Sequence, residues 1–184
     1  MRAVLALLLM AAALTGCGGP GAAVAAKPDV DGCAGSWLRP VPANEAQVHA
    51  ATLCLINAER ERHGRVALTE NAGLQRAAEL HSLDMDKRDF FEHQNPDGVQ
   101  PDARIVRQGY PPILVGENLA WGELAKSAPA EIVALWMTSP GHRANMLESA
   151  YREIGIGFAF GAPEPQDKPL QAAIYTTTFG AGGR

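Results

Sequence analysis

The sequence predicts a domain of the α+β class, and three observations lead to that prediction. Apolar residues recur at helical spacing in the middle of the chain, apolar and polar residues alternate in two segments near its C-terminal end, and strands do not alternate with helices. A chain of 184 residues fits one domain of ordinary size. Helices and antiparallel strands are therefore expected to occupy separate stretches of a single domain.

Four segments are predicted to be helical. Asn44 and Asn71 are typical N-caps for the first two, and Gly64 ends the first. In the second helix His81 falls on the stripe of apolar residues, so its side chain is expected to point into the core. A proline opens the third helix, and a Ser-Pro-Gly break separates it from the fourth. The predicted helices span residues 45–63, 72–88, 129–138 and 142–147.

The strands are predicted near the C-terminal end, and the region before the third helix is predicted to be a loop. Residues 154–160 and 172–179 alternate between apolar and other residues, and an exposed hairpin loop joins them. Residues 89–118 are rich in proline and glycine, which favours an ordered loop with one helical turn near 103–108.

Composition and charge exclude several classes of protein. Charged residues make up 20% of the chain, too many for a polytopic membrane protein, and hydrophobic residues make up 47%, too many for a disordered one. The formal net charge is −4, whereas nucleic-acid binding needs a basic surface. We therefore expect no nucleic-acid partner.

The first 16 residues are predicted to be an export signal. Arg2 precedes an apolar run of twelve residues, which is shorter than the ~20 that a membrane-spanning helix needs. The sequence Leu-Thr-Gly-Cys that ends at Cys17 resembles the lipobox of bacterial lipoproteins, which implies cleavage before Cys17 and lipid on that cysteine. The alternative is an ordinary signal that is cleaved later, after Ala23 or Ala26, and a secreted protein.

The other two cysteines, Cys33 and Cys54, are predicted to form a disulfide, because an exported pair is in an oxidising compartment. Two free buried thiols are the alternative. The bond would join the segment before the first helix to that helix. The chain is thus divided into a signal (1–16), a lipidated cysteine with tether and disulfide-linked segment (17–43), and a domain (44–184).

Several motifs follow one another along the domain, although none is a standard catalytic signature such as HExxH or GxSxG. They are NAER (57–60), AAELHSLDM (77–85), FFEH (90–93), GENLAWG (116–122), WMTSPGHRANML (136–147) and IGIG (154–157). In this order they resemble the CAP superfamily (cysteine-rich secretory proteins, antigen 5 and plant pathogenesis-related class 1 proteins), and in particular its short bacterial branch. The resemblance spans about residues 48–180.

This resemblance implies a three-layer α-β-α sandwich with a central antiparallel sheet, and a cleft lined by two His and two Glu. His81 matches the first His, Glu117 the first Glu and His142 the second His, while Ser139 stands at the position of the second Glu. Two imidazoles and one carboxylate can hold Zn²⁺ and leave its fourth position to water. The resemblance therefore predicts Zn²⁺, or another divalent metal, bound by these three residues.

The expected function is that of an extracytoplasmic, membrane-anchored monomer that binds a small hydrophobic molecule or a cell-envelope component in the cleft. A metal-dependent hydrolase of peptides or cell wall is one alternative, and a structural or host-interaction protein with an idle cleft is another. A hydrolase needs a general base near the bound water, and the candidates are Ser139, Asp84 and His93. A purely structural His–Glu–His cluster also remains open. Arg104 is interpreted as a salt-bridge partner in the loop.

Overall fold

The computed structural model describes residues 27–163 and 171–182. The predicted signal, Cys17 and most of the hairpin loop lie outside these residues. Within them, no helix combines the length and the apolar character needed to cross a membrane. The helices are α1 (Glu45–Arg62), α2 (Ala72–Arg88), α3 (Pro101–Arg107), α4 (Pro129–Thr138) and α5 (Pro140–Leu147), and the strands are β1 (Thr69–Glu70), β2 (Pro112–Glu123), β3 (Glu153–Ala159) and β4 (Ala172–Gly182).

The helices agree with their local sequence signals, with one exception. α2 has the predicted bounds, and the side chain of Asn71 caps it by accepting hydrogen bonds from the N–H groups of Gly73 and Leu74. Asn44, in contrast, does not cap α1, because its side-chain oxygen accepts a hydrogen bond from the backbone N–H of Val41. α5 begins at Pro140, two residues earlier than predicted, since proline is well tolerated in the first turn of a helix.

The sheet has four strands in the order β1-β3-β4-β2 and is mixed. β4 pairs antiparallel with both β2 and β3, as predicted, but the two-residue strand β1 pairs parallel with β3. The prediction of an entirely antiparallel sheet was therefore wrong at this edge. The prediction of a loop up to residue 118 was also wrong, because β2 begins at Pro112 and pairs with β4 along its length.

Helices cover both faces of the sheet, which makes the fold a three-layer α-β-α sandwich. α2 lies against β3 so closely that a Cβ atom at Gly155 would come within 2.1 Å of the α2 backbone. α1, α4 and α5 pack on the opposite face, where Trp136, Ile156 and Tyr175 belong to the main hydrophobic core. Both faces of β3 and β4 are consequently buried, although alternation in the sequence suggested one apolar face.

Two long-range links hold α1 in place. The predicted disulfide between Cys33 and Cys54 is formed, so the N-terminal segment is tied to α1. At the other end of α1, Arg60 is fully buried, and its guanidinium donates hydrogen bonds to the carbonyl oxygens of Val66, Met146, Glu148 and Tyr151. These bonds fix the C-terminal end of α5 against α1 and so determine where the functional residues of α5 lie.

Candidate binding cleft

Glu117, on β2, is the buried charged residue around which the site is arranged. Its side chain is 2% exposed, and Arg104 donates from Nη2 to both carboxylate oxygens at 3.0 and 2.8 Å. Nδ1 of His93 lies 2.9 Å from Oε1 of the same carboxylate. A buried carboxylate needs partners of this kind, because desolvation of an unpaired charge is costly. The interpretation of Arg104 as a salt-bridge partner is confirmed.

Arg104 also organises the loop that precedes α3. Its Nη1 donates to the carbonyl oxygens of His93 at 2.8 Å and Val99 at 2.9 Å. One guanidinium thus joins α3, the loop 89–100 and the floor of the cleft on β2. Because the planar guanidinium offers five donors in a fixed arrangement, it can serve a carboxylate and two carbonyls together.

The two histidines near Glu117 have different environments. The side chain of His93 is 52% exposed, and its hydrogen bond with Glu117 raises the pKa of the imidazole. His81 is fully buried, as its position on the helical stripe predicts, and burial lowers its pKa. Its Nε2 lies 3.0 Å from the carbonyl oxygen of Glu92 and 3.9 Å from Oε1 of Glu117. His81 therefore supports the loop from the core side, whereas His93 faces solvent.

His142 approaches from α5 and is half-buried. Burial, and then the charge of His93, lowers the pKa of His142, so the two imidazoles lie within electrostatic reach of each other. Hydrogen bonds hold α5 to β2 here: Asn118 donates to the carbonyl of His142, and Asn145 donates to the carbonyl of Glu117. Nδ1 of His142 is buried and has no hydrogen-bond partner among the described residues.

Asp84 and Ser139 are not brought into contact with Glu117. Asp84 accepts hydrogen bonds from Arg88 and Asn95; burial opposes its ionised form, but these bonds outweigh that effect and hold the pKa of Asp84 below its usual range. Ser139 precedes α5, and its side chain makes no capping hydrogen bond to that helix. Of the residues predicted at the cleft, the structure thus groups Glu117 with His93 and, less directly, with His81 and His142.

Comparison with protein families identifies the fold. The family model of CAP, the cysteine-rich secretory protein family, matches residues 43–175. The chain belongs to this family. Among curated proteins, the chain is 36% identical over 104 residues to the uncharacterised protein YkwD of Bacillus subtilis, an alignment that covers 56% of this chain and 39% of YkwD. The chain spans only about a third to two fifths of the length of the curated relatives it matches.

Solved CAP structures from bacteria have the same fold. An extracellular protein with an SCP domain from Bacillus anthracis matches with a TM-score of 0.55 and 26% identity, over 75% of this chain and 40% of that one. An outer surface protein from Borrelia burgdorferi matches with a TM-score of 0.59 and 20% identity, over 71% and 90% of the two chains. The Bacillus anthracis protein is extracellular by its description, which agrees with the extracytoplasmic location predicted for this chain.

The CAP domain has an open cleft in front of the Glu117 carboxylate, with a volume of about 460 Å³. It is lined by His93, Gln100, Pro101, Asp102, Val115, Gly116 and Glu117. Gln100 and Asp102 were not singled out in the sequence, since only the packing of α3 against β2 brings them beside a motif residue. Polar side chains lie at the floor of the cleft and at the start of α3, whereas Pro101, Val115 and Gly116 supply apolar surface.

The arrangement of the cleft does not fit a divalent cation at Glu117. Arg104 and His93 already hold the carboxylate oxygens, and His81 directs Nε2 at a backbone carbonyl. Within residues 27–163 and 171–182, no group of three or more His, Cys, Asp or Glu side chains is arranged to hold a metal ion. Metal binding by His81, Glu117 and His142 would require Arg104 to move, and it stays a prediction.

Proposed function

We propose that this CAP-domain protein is an extracytoplasmic binding module that holds a polar, oxygen-rich component of the cell envelope in the cleft above Glu117. The observation that carries the proposal is a cleft of about 460 Å³ whose buried carboxylate is already neutralised by Arg104. The imidazole of His93 lines this cleft and is half exposed, and the side chains of Gln100 and Asp102 line it at the start of α3. Such groups bind the hydroxyls and amides of sugars and peptides.

The state of the carboxylates favours binding over hydrolysis. A general base must have a free lone pair within reach of the proton that it removes. The carboxylate of Glu117 is 2% exposed and accepts three hydrogen bonds from Arg104 and His93, so it offers a ligand little reach. Asp84 is held by Arg88 with a lowered pKa that makes it a weak base. Hydrolysis by the protein, and a cleft that binds no ligand, are therefore the alternatives that a binding experiment must distinguish from the proposal.

The proposal includes a lipid anchor on Cys17 at the outer face of the membrane. The lipobox-like sequence supports it, and the Cys33–Cys54 disulfide is typical of an oxidising compartment. Two acyl chains or more would anchor the protein stably, because each buried CH₂ contributes about 0.8 kcal/mol. Cell fractionation of a Cys17→Ser variant should find the protein in the medium or still carrying its signal. Membrane retention of a form that has lost its signal would refute lipidation.

Co-sedimentation with purified peptidoglycan tests the binding function. We expect the wild type to bind, and the double variant His93→Gln, Gln100→Ala to bind at least tenfold more weakly, because the cleft loses an imidazole and a carboxamide that line it. His49→Gln is the matched control, since His49 pairs with Glu70 outside the cleft. Equal binding by the double variant, or no binding by the wild type, would refute the proposal.

The same samples separate the alternatives. Release of soluble peptidoglycan fragments that the double variant no longer releases would make the protein a hydrolase. A small hydrophobic molecule, found by mass spectrometry after lipid extraction of gently purified protein, would replace the envelope ligand. The zinc prediction is tested by plasma emission spectroscopy of the untagged protein, with His81→Ala and His142→Ala measured beside it. The prediction is refuted if the wild type contains no zinc and added zinc does not raise its thermal stability.

A further inference from the structure

A second cavity lies at the C-terminal end of β2, beside the exposed side of α4. Its volume is about 490 Å³, within the range of small-molecule binding sites, which is roughly 300–1,000 Å³. It shares no lining residue with the cleft above Glu117 and is therefore a separate hollow. The cavity is lined by Trp121, Gly122, Glu123, Lys126, Glu131 and Leu135.

Trp121 gives the cavity an aromatic wall. Its indole is half-buried, because it packs against a small core cluster that includes Met85 and Leu119. Trp37 and Trp136 donate their indole N–H groups to backbone carbonyl oxygens, whereas the N–H of Trp121 has no hydrogen-bond partner within residues 27–163 and 171–182. Trp121 can thus offer a ligand both aromatic surface and a hydrogen-bond donor.

Three charged side chains of both signs surround the indole. Glu123 and Glu131 supply carboxylates and Lys126 supplies an ammonium; all three are exposed, and none forms an ion pair within the described part of the chain. An anion would meet two carboxylates, and a cation would meet the ammonium. Neutral hydroxyls can donate to the carboxylates and accept from the ammonium, so this lining favours a neutral ligand with several hydroxyls.

The turn that carries Glu123 and Lys126 is held in one backbone conformation. Leu124 has a φ of 49°, in the left-handed region that is unfavourable for leucine. Its N–H donates to the carbonyl oxygen of Gln171 at 2.8 Å, and Oγ of Ser127 donates to the carbonyl oxygen of Leu124 at 2.6 Å. Strained residues persist only where their surroundings hold them, and they cluster at ligand-binding sites.

We propose that this cavity binds a neutral pyranose ring, which stacks on the indole of Trp121 and whose hydroxyls bind the three charged side chains. The C–H groups on one face of the ring form an apolar surface, and their partial positive charge suits the negative face of an indole. The hydroxyls make charge-assisted hydrogen bonds with the carboxylates and with Lys126. The proposal does not depend on the function of the cleft, because the two sites share no residue.

Isothermal titration calorimetry of the full chain carrying Cys17→Ser tests the proposal with cellotriose, maltotriose and chitotriose as probes. We expect at least one of these neutral trisaccharides to bind. Sorbitol has the hydroxyls of a sugar but no ring to stack, choline tests for a cation, and glucuronate tests for an anion. Each of these three compounds should bind more weakly than the trisaccharide that binds best.

Variants decide whether the sugar occupies this cavity. Trp121→Ala should weaken binding at least tenfold, and Trp121→Phe should weaken it less, because phenylalanine retains an aromatic face. Glu123→Gln with Glu131→Gln should also weaken binding, since the hydroxyls lose their charged acceptors.

Matched controls remove the same kinds of side chain elsewhere. Trp37→Ala, and Glu45→Gln with Glu61→Gln on α1, should leave binding unchanged, and a thermal melt of each variant confirms that it is folded. The proposal is overturned if no trisaccharide binds, if choline binds more tightly than all of them, or if Trp121→Ala binds as the wild type does. A loss in His93→Gln, Gln100→Ala that is absent from Trp121→Ala would place the sugar in the cleft and overturn only this proposal.

Discussion

Replacement of Arg104 by methionine is the most direct test of how the cleft is held together. The substitution leaves the carboxylate of Glu117 at 2% exposure without its main partner. Removal of one member of a buried ion pair costs about 3–5 kcal/mol. The loop carbonyls of His93 and Val99 also lose a charged donor, which adds about 1 kcal/mol each. Together these losses amount to about 5–7 kcal/mol, and the hydrogen bond that His93 retains with Glu117 offsets about 1 kcal/mol of them, so we expect a total loss of about 4–6 kcal/mol.

A second substitution separates the two contributions to this loss of stability, which are the unpaired charge of Glu117 and the missing hydrogen bonds to the loop carbonyls. Glu117→Leu in the Arg104→Met background removes the unpaired charge and places two apolar side chains together, and such replacements of buried pairs are often neutral. The double variant should therefore recover about 2–4 kcal/mol and retain only the loss at the loop carbonyls, about 2 kcal/mol. Most additional mutations lower stability, so a double variant that is more stable than Arg104→Met alone would be direct evidence that the unpaired charge causes the loss.

The free energies come from urea denaturation followed by circular dichroism, with the disulfide intact. Arg107→Met is the matched control, because it removes the same kind of side chain one turn later on α3 without an ion-pair partner in the described chain, and it should change stability by less than about 0.5 kcal/mol. The reasoning fails if Arg104→Met is within about 1 kcal/mol of the wild type, or if Glu117→Leu makes that variant still less stable.

Three further predictions concern other parts of the fold. Replacing Cys33 and Cys54 by alanine should lower the free energy of unfolding by ~3 kcal/mol, because the disulfide restricts the unfolded chain. Gly155→Ala should cost at least about 2 kcal/mol, since the added Cβ atom meets the α2 backbone at 2.1 Å. His93→Gln should cost more near pH 6 than near pH 9. The raised pKa of His93 gives stability that is complete below the ordinary value of 6.5 and is lost as pH rises through the folded-state value.

Each of these predictions has its own check in urea denaturation. Reduction of the disulfide in the wild type should lower stability as much as the cysteine replacements do. If stability is unchanged after reduction, the disulfide prediction is wrong. Gly141→Ala is the control for the second, because nothing lies within 4 Å of an added Cβ atom there and alanine favours the helix. If the cost of His93→Gln is the same at both pH values, or larger at the higher one, the assigned hydrogen bond to Glu117 does not control His93.

Elements with local signals could be predicted from the sequence. Asn71 and Pro129 determine where α2 and α4 begin, because a cap or a first-turn proline acts within a few residues of itself. The burial of His81 also followed from its spacing alone. The start of β2 was missed because the proline and glycine content of residues 89–118 favours a loop, whereas the structure continues β2 through Glu117 and Asn118, which are both buried.

The partners of β2 come from distant parts of the chain, and it is a strand because its backbone pairs with β4. Arg104 reaches Glu117 from α3, and Asn145 binds its carbonyl from α5, 28 residues away in the sequence. No local pattern reports such a contact, since it depends on how whole helices pack against the sheet. For the same reason the sequence placed both His81 and His93 at the cleft, although only His93 lines it.

By itself the sequence determined the α+β class, the family and the pairing of Cys33 with Cys54, and it supplied the signals that predict export. These properties depend on composition, on spacing within one element, or on motifs that recur in order. Only the tertiary structure decided that Arg104 neutralises Glu117, because the two side chains meet after α3 has packed on β2. That contact occupies both carboxylate oxygens of Glu117 and leaves the half-exposed side chain of His93 at the cleft.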